Sequence, residues 1–94
     1  EFNLPAAPSR YAAVAMALGC QRKENDTATA KAGIEKIRSL IAQCGIPATL
    51  KAVSIPKEAI PQMAKDALKI QRLLKNNPRE ITEQDAVDIY TAAY

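Results

Sequence analysis

The stretch Asp26-Thr27-Ala28-Thr29-Ala30-Lys31-Ala32-Gly33-Ile34-Glu35-Lys36-Ile37-Arg38-Ser39-Leu40-Ile41-Ala42-Gln43-Cys44-Gly45 decides the fold. Within it Ala30, Ile34, Ile37, Ile41 and Cys44 recur at alternating steps of four and three, the spacing that places side chains on one face of a helix. Asp26 or Thr27 is positioned to accept the first free amide hydrogens as N-cap, and Gly45 supplies the stop. The pattern predicts a long amphipathic helix. Gly33 in its interior costs about 1 kcal/mol relative to Ala, so it is read as a place where another backbone comes close.

On the N-terminal side, Pro8 suits a first helical turn, and Arg10 to Leu18 presents Tyr11, Val14, Ala15 and Leu18 at helical spacing before Gly19 ends the run. The polar stretch Gln21 to Asn25 has no periodicity. On the C-terminal side, Pro47 permits a short helical turn through Thr49 and Leu50, and Ser54, Pro56 and Pro61 then prevent a long helix. Ile60, Met63, Ala64, Ala67 and Leu68 form a further stripe, which predicts a helix from about Pro61 to Ile70. Asn76-Asn77-Pro78 reads as a turn, because Asn tolerates left-handed backbone and the residue before Pro is pushed out of the α region. Thr82, three residues before Asp85, resembles a capping box, with Glu83 and Asp85 favoured by the helix dipole. Ala86, Val87, Tyr90, Ala93 and Tyr94 make that last helix's buried side.

The expected fold is all-α: a compact antiparallel array of about four longer helices with short turns, residues 1–94 forming a single domain. Composition agrees. Of 94 residues, 48% are hydrophobic, only 4% are aromatic and none is Trp. Apolar mass drawn from Ala, Leu and Ile favours helix over sheet.

With no His, the chain lacks the commonest general base and the commonest metal ligand. Cys20 and Cys44 have no C-x-x-C spacing and cannot complete a four-ligand zinc site, so they are read as reduced thiols. No run reaches the roughly 18 to 20 apolar residues of a spanning helix, and the N-terminus has no signal-peptide pattern. The expectation is a soluble cytoplasmic protein without membrane association. The missing initiator Met suggests a processed product or a piece of something longer.

Lys65, Lys69, Arg72, Lys75 and Arg79 would line one face of a continuous helix, and with pI ≈ 9.0 they raise nucleic-acid binding. Against it stand Pro78 within the run, the lack of an interleaved aromatic and the acids Glu80, Glu83, Asp85 and Asp88 directly after it. A solvated face, with no nucleic-acid partner, is the reading adopted. Asp85 and Asp88 belong to the first turns of a capped helix rather than to acid and base work. Tyr11, Tyr90 and Tyr94 are core-edge residues. The Gly residues at 19, 33 and 45 match no phosphate-cradling loop.

A series of short motifs then carries a resemblance. Arg10-Tyr11-Ala12 with Ala15 and Leu18-Gly19, Gly45-Ile46-Pro47 with Leu50, Ile60-Pro61 with Ala64 and Ala67-Leu68, and Asn77-Pro78-Arg79 with Thr82 and Ile89-Tyr90 follow in order. The chain resembles, over nearly its whole length, the C-terminal end of the iron-dependent (group III) alcohol dehydrogenases. Glu1-Phe2-Asn3 is similar to the stretch shortly after the last metal-ligating His of such enzymes.

The resemblance implies a parent oxidoreductase with an upstream α/β domain that binds NAD or NADP, and a divalent metal, iron or zinc, held by one Asp and three His. None of those ligands falls in this chain, which would contribute no catalytic, cofactor-binding or metal-binding residue and be inactive alone. In the parent the metal would act as a Lewis acid while hydride passes between an alcohol or aldehyde carbon and the nicotinamide. The segment Arg72-Leu73-Leu74-Lys75-Asn76 corresponds to the family's loop near the substrate and nicotinamide pocket, so Leu73, which aligns best with the pocket-facing position, and Leu74 are the candidate pocket wall; the alternative is that both simply pack the end of their helix. Ser54 stands where many relatives have Gly, and Pro56 where a polar residue is common. The implied partner is the upstream domain of the same polypeptide, with a homo-oligomer possible. The rival reading is a free-standing helical module that binds a protein partner through an apolar groove.

Overall fold

The computed structural model describes residues Glu1–Tyr94. It has no strand and five α-helices, four of them of seven residues or more. These are α1 (Pro8–Ala17), α2 (Asp26–Gln43), α3 (Ile60–Leu68), α4 (Gln71–Leu74) and α5 (Glu83–Ala92), with single 3-10 turns at Leu4–Ala6, Lys51–Val53 and Lys57–Ala59. The residues group into two compact units, Glu1–Ile46 and Pro47–Tyr94.

In the first unit α1 packs on α2. Helix α1 starts at Pro8, two residues before the periodicity begins, because Pro at N1 has a preset φ and no amide hydrogen to leave unpaired. Both helices end in the same device. Gly19 and Gly45 take left-handed φ of 87° and 66°. The amides of Cys20 and Ile46 then reach back to the carbonyls of Ala15 and Ile41, and those of Gly19 and Gly45 to Met16 and Ala42, which together make Schellman closures.

The N-cap of α2 is Asn25 and neither Asp26 nor Thr27. Asn25 has extended backbone, and its Oδ1 accepts from the Ala28 amide at 2.8 Å. Asp26 is instead the first helical residue, paired with Arg22 at 2.7 Å. Thr29 is fully buried and satisfied on both sides, donating to the Asn25 carbonyl at 2.9 Å and accepting from the Lys23 amide at 3.0 Å. The stretch before α2 is thereby tied to its first turn.

The seam between α1 and α2 is made of small residues. Ala12, Ala15, Ala30 and Gly33 are buried, Ile34 and Ile41 are partly covered, and Ile37 and Cys44 are exposed. The five-residue face expected from periodicity is therefore only partly turned inward. Gly33 explains why: an ideal Cβ there would sit 2.6 Å from Ala15 Cβ, so the helices meet at a distance that larger side chains cannot share.

In the second unit α3 packs on α5 around Ile60, Ala64 and Ala86. The first short turn lies at Lys51–Val53, slightly after the expected one, with Thr49 Oγ1 accepting from the Ala52 amide at 3.1 Å. Ser54 closes that turn with φ 61°, a left-handed conformation suited to Gly. Leu50 donates its amide to the Ala93 carbonyl at 2.8 Å, which links the turn to the end of α5. Helix α3 runs from Ile60 to Leu68, one residue earlier at its start and two shorter at its end than the expected span. Thr82 and Asp85 form the capping box at the start of α5.

Candidate functional site

The residues from Lys69 to Arg79 hold both candidate wall positions. Ile70 (φ −86°, ψ 61°) is the centre of an inverse γ-turn, with the Gln71 amide donating to the Lys69 carbonyl at 3.0 Å. The chain then makes the separate four-residue α4 within the segment that the resemblance assigns to a loop, since nothing in Gln71-Arg72-Leu73-Leu74 signals so short a helix.

Side-chain amides fix the backbone on either side of α4. Gln71 Nε2 donates to the Leu68 carbonyl at 2.7 Å, Asn76 Nδ2 to the Arg72 carbonyl at 3.2 Å, and Asn77 Nδ2 to the Arg79 carbonyl at 2.6 Å. The amides of Asn76 and Asn77 close on the carbonyls of Leu73 and Leu74. Asn is thus used here for its ability to bond neighbouring backbone.

Leu73 and Leu74 have different surroundings. Leu73 is 58% exposed. Leu74 is partly covered and helps line a cavity of about 170 Å³ with Leu68, Ile81, Ala86, Ile89 and Tyr90. A second recess of about 480 Å³, also bordered by Leu74, carries Lys75 and Arg79.

The five basic residues share no helix, because α3 ends at Leu68 and α4 at Leu74. Lys69 is paired with Asp66 at 2.6 Å, and with Gln62 it holds the Asp66 carboxyl below its ordinary pKa. The hydrogen bonds from Thr82 do the same for Asp85, helped by the charge of Arg79. Asp66 is exposed and Asp85 partly covered, and both carboxylates serve their helices. Asp88 is exposed and accepts from Gln84 Nε2 at 2.8 Å. Tyr11, Tyr90 and Tyr94 lie at the edge of their units, Tyr94 with Lys57 Nζ 5.9 Å from its ring centroid. Cys20 and Cys44 are free thiols just past the ends of α1 and α2. No helix is long and apolar enough to cross a membrane.

With this geometry in place, comparison with known proteins is specific. The family model described as Fe-containing alcohol dehydrogenase family, C-terminal, matches residues 1–94. The chain belongs to the Fe-containing alcohol dehydrogenases, an oxidoreductase family, and represents its C-terminal helical part.

Long-chain-alcohol dehydrogenase 1 of Geobacillus thermodenitrificans is 38% identical over 61 residues, 65% of this chain and 15% of that protein. Lactaldehyde reductase of Escherichia coli K12 is 31% identical over 95 residues, covering 100% of this chain and 25% of the relative. The crystal structure of a 1,3-propanediol oxidoreductase matches 99% of this chain and 24% of its own, with a TM-score of 0.92 and 30% identity. The chain therefore spans about a quarter or less of the length of these relatives.

The iron of the family's description finds no donor set in these residues. The chain has no His, and no three Cys, Asp or Glu side chains are grouped to hold a metal ion. Leu73 itself stands exposed on a backbone tied by the side-chain amides of Gln71, Asn76 and Asn77.

Proposed function

We propose that this chain is the C-terminal helical wall of an alcohol dehydrogenase that interconverts a primary alcohol and an aldehyde by hydride transfer to or from NAD or NADP. The reading is carried by the family match over residues 1–94 together with the chain's spanning only about a quarter of two full-coverage relatives. The relatives support the substrate class, since each is named for an alcohol or an aldehyde.

In this reading the nicotinamide-binding α/β domain and the metal ligands belong to polypeptide upstream of Glu1, and residues 1–94 alone do not turn over. Leu73 borders the substrate pocket. Its exposure supports that role, because an apolar side chain that its own unit leaves open is available to an alcohol's hydrocarbon part. Leu74, partly covered within the second unit, supports the wall from behind. Nothing in this role asks the chain for a proton or an electron pair.

The test is the natural polypeptide itself. Purified intact, it is expected to reduce NAD or NADP with short primary alcohols and to oxidise the reduced cofactor with the matching aldehydes. A full-length product that gives neither reaction across a panel of alcohols and aldehydes would overturn the assignment.

A further inference from the structure

Beside the N-terminal turn lies an apolar groove of about 650 Å³, lined by Leu4, Pro5 and Ile34 with Thr27 and Lys31. Glu1 and Glu35 also line it, but both carboxylates pair with Arg38 of α2. Small-molecule sites are apolar too, yet they carry a few convergent polar groups that orient the ligand. Here Arg38 pairs with both carboxylates, Thr27 and Lys31 are the remaining polar side chains, and the rest of the lining is hydrocarbon.

We propose that in the intact protein this groove is filled by the apolar side chains of the segment immediately preceding Glu1. The inference rests on the alcohol dehydrogenase reading above and deepens it by naming where the upstream polypeptide docks. Two observations select this occupant over a second copy or a separate protein. The matched region is the family's C-terminal one, and the chain covers 25% and 24% of two relatives, so about three quarters of such a polypeptide lies outside the structure. Glu1 lines the groove and its carboxylate pairs with Arg38 of α2, so the residues that precede it start beside the groove. A segment that starts at the groove closes almost no loop to enter it, whereas a separate molecule pays the full cost of association.

The test uses the full natural polypeptide with Cys20→Ser, Cys44→Ser and any upstream Cys likewise replaced. Ile34→Cys is combined with a second Cys walked one position at a time through the segment before Glu1. Lys31→Cys, an exposed lining position one helical turn away, serves as an independent anchor that spares the partly covered Ile34. A disulfide needs Cα atoms within about 7 Å, so mild oxidation reads proximity directly.

The expected result is an intramolecular disulfide from each anchor to a few neighbouring positions, with the favoured partner shifting between the two anchors. A Cys at 34 that stays open to a thiol reagent, pairing only with distant upstream positions, or disulfide-linked dimers would each overturn the proposal. Intact mass separates this from the broader reading. A natural product beginning at Glu1 would remove the proposed dehydrogenase activity along with the occupant, whereas a longer, active product with an open groove would remove the occupant alone.

Discussion

Gly33 of α2 lies so close to Ala15 of α1 that a methyl group on Gly33 would stand 2.6 Å from Ala15 Cβ and 3.0 Å from Ala15 Cα. This approach positions the two longest elements of the first unit. Because the obstacle includes backbone, no rotamer change relieves it.

Gly33→Ala is therefore expected to destabilise the protein even though Ala is the better helix former by about 1 kcal/mol. Forcing a methyl into a filled seam costs typically about 1 to 3 kcal/mol, and the helices must separate to admit it. The net effect is a lower midpoint in urea, with helical content retained. An unchanged or raised midpoint would show that the seam is slack.

The cap of α5 gives a second expectation. Thr82 Oγ1 accepts from the Asp85 amide at 3.1 Å, while Asp85 Oδ2 accepts from the Thr82 amide at 2.9 Å. Thr82→Ala should cost about 0.5 to 2 kcal/mol, the usual worth of an N-cap side chain. The pKa of Asp85 is lowered first by the Thr82 hydroxyl, which donates to Oδ2 at 2.7 Å, and then by the Thr82 amide. A carboxyl depressed in the folded state contributes stability that is present above its unfolded pKa, about 3.9, and is lost as pH falls through the folded value. Acid melting below about pH 4 should therefore become shallower in Thr82→Ala, and an identical acid limb in both proteins would contradict the coupling.

How far these features are legible in the residues depends on what each signal encodes. Glycine stops, the capping box and the Asn-Asn-Pro turn are local, and all three appear where the residues place them. Gly33 is readable as a close approach because Gly within a good helix asks for a reason. The cap of α2 falls one residue before the expected pair, since Asn25, Asp26 and Thr27 are all competent and only backbone geometry distinguishes them. The apolar stripe of α2 encodes its period but not its depth: Ile37 stays exposed because the close approach at Gly33 leaves the seam to small side chains.

The candidate site is legible only by resemblance. Short apolar runs such as Leu73-Leu74 do not say which side chain turns inward, and α4 is too brief to leave a periodic trace. Its direction comes from the γ-turn at Ile70, a backbone feature with no residue signature.

If Leu73 borders the substrate pocket as proposed, the two leucines should separate by phenotype in the intact polypeptide. Leu73→Ala is expected to change discrimination between short and branched alcohols by about 1 to 3 kcal/mol in relative kcat/KM, the worth of a small apolar change in a pocket, with little effect on melting. Leu74→Ala should do the reverse, costing on the order of 2 kcal/mol of stability while preserving the order of alcohol preference. Paired measurements of Tm and a panel of alcohols read both. Loss of stability in Leu73→Ala without any change in preference would reject its place in the pocket.

The central claim is that residues 1–94 shape a reaction whose chemistry lies elsewhere in the polypeptide. Turnover by the purified 94-residue chain tests it most directly. It is measured as the absorbance gained when nicotinamide is reduced in the presence of primary alcohols, NAD or NADP, and added iron or zinc. The expected result is a rate indistinguishable from buffer, beside measurable turnover by the intact polypeptide under the same conditions. Sustained, alcohol-dependent reduction by the chain alone would contradict the account.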